Sequence, residues 1–241
     1  MNTNWKDKVV HNFDSKSMTY DQNCRIQKTI AHNLAADLPD EKISNILEIG
    51  CGTGNLTQYL LCLYKNKNFC ITDISPSMLR NAQEKFPAKN IEWKIFDGEN
   101  PDTSNKYDLI VANMAFQWFE DMDSALINLT KRLKDGGSLF YSIPGFKSFK
   151  EWKDTLKALD LPSGILDFPV PPSIYRQEEM VVNYINAFDF LHSIKDIGAG
   201  HARKNYNPLN PKQIKQACDK FDKEYDGCIT WHILYGRIDK K

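Results

Sequence analysis

The stretch ILEIGCGTGNL, residues 46–56, sets a short apolar run directly against three glycines in five positions, Gly50, Gly52 and Gly54. An apolar run that stops at glycines and resumes as an amphipathic segment reads as strand, tight turn and helix. That unit points backbone N–H groups and the positive end of a helix at a ligand held beyond the carboxyl edge of a sheet. The spacing is G-x-G-x-G, unlike the G-x-G-x-x-G of a dinucleotide site, and Glu48 stands two positions before the first glycine. No phosphate-binding lysine follows, which excludes a P-loop. An acid beside the turn is ill matched to a pyrophosphate and well matched to an ammonium or sulfonium charge.

Further strand-length runs follow at 68–72, 91–96, 107–112 and 138–143, separated by helix-length amphipathic segments. In SPSMLRNAQEKF, Ser75 is the expected N-cap and Pro76 the first helical residue. DMDSALINLTKRLKDGG reads as a helix whose last turn carries Lys131, Arg132 and Lys134 before glycines end it. Strands alternating with such helices predict an α/β fold with a mainly parallel sheet covered on both faces. Beyond residue 143 the rhythm changes. A helix is expected in GFKSFKEWKDTLKAL, an irregular Pro-rich excursion in LPSGILDFPVPPS, a β-leaning segment in QEEMVVNYI and a helix in AFDFLHSIKDI ending at Gly198. NPKQIKQACDKF then reads as a helix and CITWHILYGRI as a closing strand, which makes seven strands. The expected organisation is a single domain of four parts. These are an N-terminal helical arm over 1–40, a binding core over 41–145, a helical lid or substrate insertion over 146–206, and a closing helix and strand over 207–241.

Two further acids and an amide mark the strand ends. Asp73 closes the second strand nineteen residues after Gly54, where a carboxylate can accept both hydroxyls of a ribose. Asp97, followed by Gly98, sits just past the third strand, and Asn113 closes the fourth in VANMAFQW. Taken together, residues 40–145 resemble the class I S-adenosyl-L-methionine-dependent methyltransferases, whose fold is Rossmann-like. The resemblance implies S-adenosylmethionine as co-substrate. Gly50, Gly52 and Gly54 would admit its methionine end, with Glu48 and Asn113 near by. Asp73 would hold the ribose, and Asp97 with Gly98 would read the adenine. For Glu48, bracing of the turn is the competing role.

Three stretches beyond the glycine turn resemble one branch of that family, the malonyl-acyl carrier protein O-methyltransferases of the biotin pathway. They are VANMAFQWFEDMDSAL, LHSIKDIGAGHARKN and ITWHILYGRI, and the N-terminal NFDSKSMTYD fits the F-x6-Y-D arm of such enzymes. The implied reaction moves the sulfonium methyl to the free carboxylate of a malonyl thioester. A carboxylate is ionised at neutral pH, so no general base is required, and rate comes from alignment and exclusion of water. Tyr20, Gln117, Trp118 and His201 are the expected substrate-positioning residues, with Phe116 and Arg203 as further candidates. For Phe116 and Trp118 a core role competes evenly with a pocket wall, and His232 reads as a structural histidine. No metal is implied.

Thirty-one lysines and arginines balance thirty-one acids, which removes any global pull toward nucleic acid or membrane. From Lys195 to Lys220, however, six basic residues meet two acidic ones. A basic face including Lys195, Arg203, Lys204, Lys212 and Lys215 would steer in an acidic acyl carrier protein, against the plainer reading of a solvated helix face. Six cysteines without C-x-x-C pairs, in apolar settings such as YLLCLY and NFCITD, point to buried reduced thiols and a cytoplasmic place. Nothing in MNTNWKDKVVHNF marks export. Two other readings stay open: a methyltransferase of a free small carboxylic acid, and a non-methylating relative that serves in assembly or in modifying another protein.

Overall fold

The computed structural model describes residues 5–39, 43–101, 104–198 and 206–241. Seven strands form one sheet in the order β3-β2-β1-β4-β5-β7-β6. Strands β1 (Asn45–Ile49), β2 (Asn68–Asp73), β3 (Ile91–Ile95), β4 (Tyr107–Asn113) and β5 (Leu133–Pro144) are parallel. β7 (Cys228–Asp239) runs antiparallel between β5 and β6 (Ile174–Asn183). The central strands lack polar alternation because both faces are covered. On β4, Leu109 and Val111 enter one core while Ile110 and Ala112 enter the other; on β5, Phe140 faces the first and Leu139, Tyr141 and Ile143 the second.

The first core takes side chains from α3 (Arg25–Ala36), α4 (Thr57–Leu63), α5 (Pro76–Lys85), α7 (Lys150–Ala158), α8 (Ala187–Asp196) and α9 (Pro211–Tyr225). The second is closed by α6 (Met122–Thr130) and a 3₁₀ turn, Phe116–Trp118. Ser75 caps α5 by accepting from the Met78 N–H at 3.1 Å, with Pro76 at the first helical position. Asn210 and Gln213 form a reciprocal capping box on α9.

Two expectations, the end of α6 and the burial of Cys62, need correction. α6 ends at Thr130, and Lys134 lies in β5, paired with Asp108 at 3.0 Å. The i, i+4 apolar pair Leu129 and Leu133 imitates a continuing helix. Yet the Tyr107 N–H donates to Arg132 O at 2.9 Å, and Leu133 registers with Tyr107, so sheet pairing claims the backbone first. Within 146–206, the β-leaning segment forms β6 at the edge of the main sheet, where it begins three residues earlier than QEEMVVNYI. Cys62 is exposed on α4, whereas Cys24, Cys51, Cys70 and Cys218 are buried; all six thiols are free.

The arm comprises α1 (Trp5–Lys16), α2 (Tyr20–Asn23) and α3. It lies across the carboxyl ends of β1, β2 and β3. The Asp14 carboxylate accepts from Ser75 Oγ at 2.5 Å and from the Ser77 N–H at 3.1 Å. Asp21 accepts from Thr53 Oγ1 at 2.5 Å and pairs with Lys85. Lys6 pairs with both Asp97 and Glu99. The arm thereby touches the glycine turn, the start of α5 and the loop after β3. Among the described residues no helix is long and apolar enough to cross a membrane.

Candidate active site

β1 delivers Glu48 and the glycines, β2 delivers Asp73, the loop after β3 delivers Asp97 and Gly98, and β4 delivers Asn113. Of these eight residues, all but Gly54 line one narrow cavity at the carboxyl edge of the sheet. The glycines divide by function. A methyl placed on Gly50 would meet Ala115 Cβ at 2.7 Å, and one on Gly54 would meet the Phe86 ring at 2.5 Å. At Gly52, φ is +55° and nothing lies within 4 Å of the added atom. Gly50 and Gly54 therefore serve close packing, while Gly52 leaves a cradle that a side chain would fill.

Asp73 is the hub of this edge. Its Oδ2 accepts from the Gly52 N–H at 2.7 Å and its Oδ1 from the Ser75 N–H at 2.8 Å. Each oxygen keeps lone-pair capacity for a ligand hydroxyl. Burial pushes its pKa up to about 6 despite those two donors. Glu48 is also buried, and its Oε2 accepts from Thr57 Oγ1 at 2.6 Å, so it braces the start of α4 as well as lining the cavity. Burial, with the nearby Asp73 charge adding to it, pushes Glu48 up to about 8. Asn113 accepts from Ser142 Oγ at 2.8 Å and donates to the Gln27 carbonyl at 3.3 Å. Two buried acids beside an open cradle fit a cationic, ribose-bearing ligand: the cation offsets the cost of ionising them in a poorly solvated site.

A second, larger cavity of about 600 Å³ lies between the arm, α7, α8, α9 and β7. Its wall is mainly apolar and aromatic, with Phe149, Trp152, Phe168, Phe190 and Trp231 among its members. The two cavities meet at Phe13, Tyr20, Met114 and Trp118, which line both. Phe13 and Trp118 are in edge contact, with centroids 5.5 Å apart. Tyr20 and Trp118 thus stand at the junction, and Gln117 lines the larger cavity, its Nε2 donating to Met114 O at 2.7 Å. Phe116 is fully buried core, stacked near Phe119 and Tyr141. His201, Arg203 and Lys204 lie outside the described residues. His232 is buried on β7, its Nε2 3.2 Å from Gln177 Oε1 and its ring in edge contact with Phe146; it lines neither cavity.

Sequence reasoning missed Gln27, Lys6 and the aromatic lining of the larger cavity. Gln27 did carry a signal. It precedes Ile30, Ala31 and Leu34 at i+3, i+4 and i+7, a polar residue on the buried stripe of α3.

Comparison with known proteins agrees with this arrangement. Residues 47–139 match the methyltransferase-domain family. Among solved structures, the YcgJ protein of Bacillus subtilis superposes with a TM-score of 0.59 at 14% identity, covering 87% of this chain and 99% of that one. The phosphoethanolamine N-methyltransferase 2 of Haemonchus contortus, solved with S-adenosylhomocysteine, gives 0.58 at 13% identity over 99% of this chain and 61% of its own. The sheet order and strand-end site define a Rossmann-like, S-adenosylmethionine-dependent methyltransferase of class I.

Within that class, the malonyl-acyl carrier protein O-methyltransferase 2 of Ilyobacter polytropus is 32% identical, covering 98% of both chains. The corresponding enzyme of Acetivibrio thermocellus is 34% identical over 95% of this chain and 92% of its own. The biotin biosynthesis bifunctional protein BioCD of Bordetella avium is 32% identical over 96% of this chain and 52% of its own. The chain belongs to the malonyl-acyl carrier protein O-methyltransferase family.

Proposed function

We propose that this chain methylates the free carboxylate of malonyl-acyl carrier protein, using S-adenosylmethionine, and so forms the methyl ester that begins pimeloyl synthesis for biotin. The observation that carries the reading is the meeting of two cavities of unlike chemistry at Tyr20 and Trp118. The acidic cavity suits the cationic donor, and the apolar one suits an acyl thioester. In the reaction a carboxylate oxygen forms the new O–CH3 bond as the S–CH3 bond breaks. The sulfonium becomes a neutral thioether and the carboxylate a neutral ester, and no proton moves. The protein contributes alignment and a poorly solvated junction in which opposite charges cancel.

In this reading Gly52 and Gly50 admit the methionine end, Glu48 and Asn113 flank it, Asp73 takes the ribose hydroxyls, and Asp97 with Gly98 takes the adenine. Gly54 acts by holding the turn. Tyr20, Trp118, Gln117 and His201 position the acceptor, and segments 1–40 and 146–206 close over the two cavities. The carrier protein docks on the basic face. Within it Lys195, Lys212 and Lys215 are exposed, and Lys195 also lines the larger cavity. Six free thiols are in keeping with a cytoplasmic place.

The test is intact mass spectrometry of malonyl-acyl carrier protein incubated with the protein and S-adenosylmethionine, beside malonyl-coenzyme A and free malonate. One methyl on the carrier-bound malonyl group, lost on ester hydrolysis, is the expected result. Methylation of free malonate alone supports the free-acid enzyme. An unchanged carrier despite measurable cofactor binding supports a non-methylating role.

A further inference from the structure

A carboxylate brought into an apolar chamber needs hydrogen-bond donors, and the larger cavity offers an uneven set. Among the described residues its lining holds two cations, Lys16 and Lys195. Lys195 is exposed, and Lys16 is already paired with Asp196 at 3.0 Å. Ser15, next to Lys16, is likewise an exposed lining residue, and Asp196 brings Lys16 beside Lys195. The cations therefore belong to the rim. Near the junction the polar groups are neutral: Tyr20, Gln27 and Gln117.

Gln27 is the most constrained of the three. It is 5% exposed, and its carbonyl accepts from Asn113 Nδ2 at 3.3 Å, which fixes it to the end of β4. Gln27 lines the chamber, and its side chain makes no hydrogen bond to another described residue. An amide that borders a chamber and is not used by the protein is available to a ligand. Gln117 differs: its Nε2 is already used by Met114 O, and the atom left buried without a hydrogen bond is the acceptor Oε1.

We infer that the amide of Gln27 holds the acceptor carboxylate at the junction, resting on the carboxyl-methyltransferase reading above, with the Tyr20 hydroxyl as a second donor. Neutral donors suit this chemistry better than a cation does. A lysine or arginine would pair with the nucleophilic oxygens and lower their reactivity, and it would place a like charge beside the sulfonium. An amide fixes the carboxylate by one N–H and leaves its charge to attract the methyl donor.

The experiment compares wild type with Gln27→Met, nearly isosteric, and Gln27→Glu, using malonyl-acyl carrier protein as substrate. A carrier bearing the malonamyl thioester, whose terminal carboxamide donates hydrogen bonds, serves as competitor. S-Adenosylmethionine affinity and melting temperature are followed in parallel to register folding. Losing a hydrogen bond to a charged group predicts a fall of roughly 10- to 100-fold in kcat/KM for Gln27→Met. Gln27→Glu should fall further. It should also shift the ratio of malonamyl inhibition constant to malonyl KM toward the amide by about 10-fold or more, since like charge now meets like charge. A merely structural role would not move that ratio. Changes under two-fold in both kcat/KM and ratio, in folded variants that bind cofactor, overturn the inference while the parent reading stands. A wild type that methylates no malonyl thioester overturns both.

Discussion

The backbone N–H of Gly52 donates to Asp73 Oδ2 at 2.7 Å, which ties the glycine turn after β1 to the end of β2 through one carboxylate. The same group holds the Ser75 N–H at 2.8 Å. An asparagine side chain in its place has one carbonyl oxygen and an NH2 group, so one of the two backbone donors loses its acceptor. Asp73→Asn should cost roughly 1–3 kcal/mol of stability through that buried orphan. It should weaken S-adenosylmethionine binding about 100-fold, because the turn and the proposed ribose contact fail together. Calorimetric titration and thermal melts of the same preparation check both; affinity within three-fold of wild type contradicts the assignment.

Gly50 and Gly52 should separate packing from binding. Both have positive φ, but only at Gly50 does an added methyl strike protein, 2.7 Å from Ala115 Cβ. Gly52→Ala is expected to cost about 1 kcal/mol in backbone strain and to reduce cofactor affinity at least 10-fold. Gly50→Ala should lower the melting temperature by clearly more. Equal losses of stability in the two variants would contradict the division.

Glu48 gives the cofactor-free protein a dependence on pH of a defined sign. Its carboxyl titrates near 4.3 in an unfolded chain and is pushed up to about 8 by burial in the fold. The folded state then keeps its proton while the unfolded state has lost it. Stability falls as pH rises from about 4.3 toward 8 and levels beyond it. Asp73, pushed up to about 6, adds to the same slope at its acidic end. Glu48→Gln should flatten the profile between pH 6 and 8. A cationic ligand favours the ionised acid, so S-adenosylmethionine should bind more tightly at pH 8 than at pH 6 and release protons. S-Adenosylhomocysteine, lacking the sulfonium, should show the smaller slope. Titrations in buffers of different ionisation enthalpy measure the protons released.

Much of this architecture was legible because it is local. Ser75 and Pro76 announce the start of α5, and the strand-end acids recur where the chain leaves each parallel strand. What escaped was non-local. The end of α6 is decided by β4, whose Tyr107 claims Arg132 and Leu133 for the sheet, and no spacing within DMDSALINLTKRLKDGG reveals that competitor. The larger cavity is likewise assembled from Phe149, Phe190 and Trp231, which lie far apart in the chain, so no local spacing brings them together. Gln27 is held by Asn113 through its backbone, a contact between α3 and the end of β4 that local sequence does not carry.

Lys6 supplies the last prediction. It pairs with Asp97 and Glu99 at the end of β3, on the carboxylate proposed to read the adenine. Lys6, Val9, Phe13 and Tyr20 all line the cofactor cavity, so the arm forms one of its walls. A ligand walled on one side by the arm exchanges faster when the arm opens. Removing Lys6 leaves Asp97 and Glu99 as unneutralised neighbours and deletes one tether of the arm, those through Asp14, Lys16, Ser17 and Asp21 remaining. Lys6→Ala should therefore raise the S-adenosylmethionine dissociation rate about 10-fold and the association rate by less, read by stopped-flow tryptophan fluorescence. Protease cleavage within α1 should quicken without cofactor and slow when it is added. Unaltered dissociation and cleavage in the variant would mean that the arm's other contacts hold it closed without Lys6.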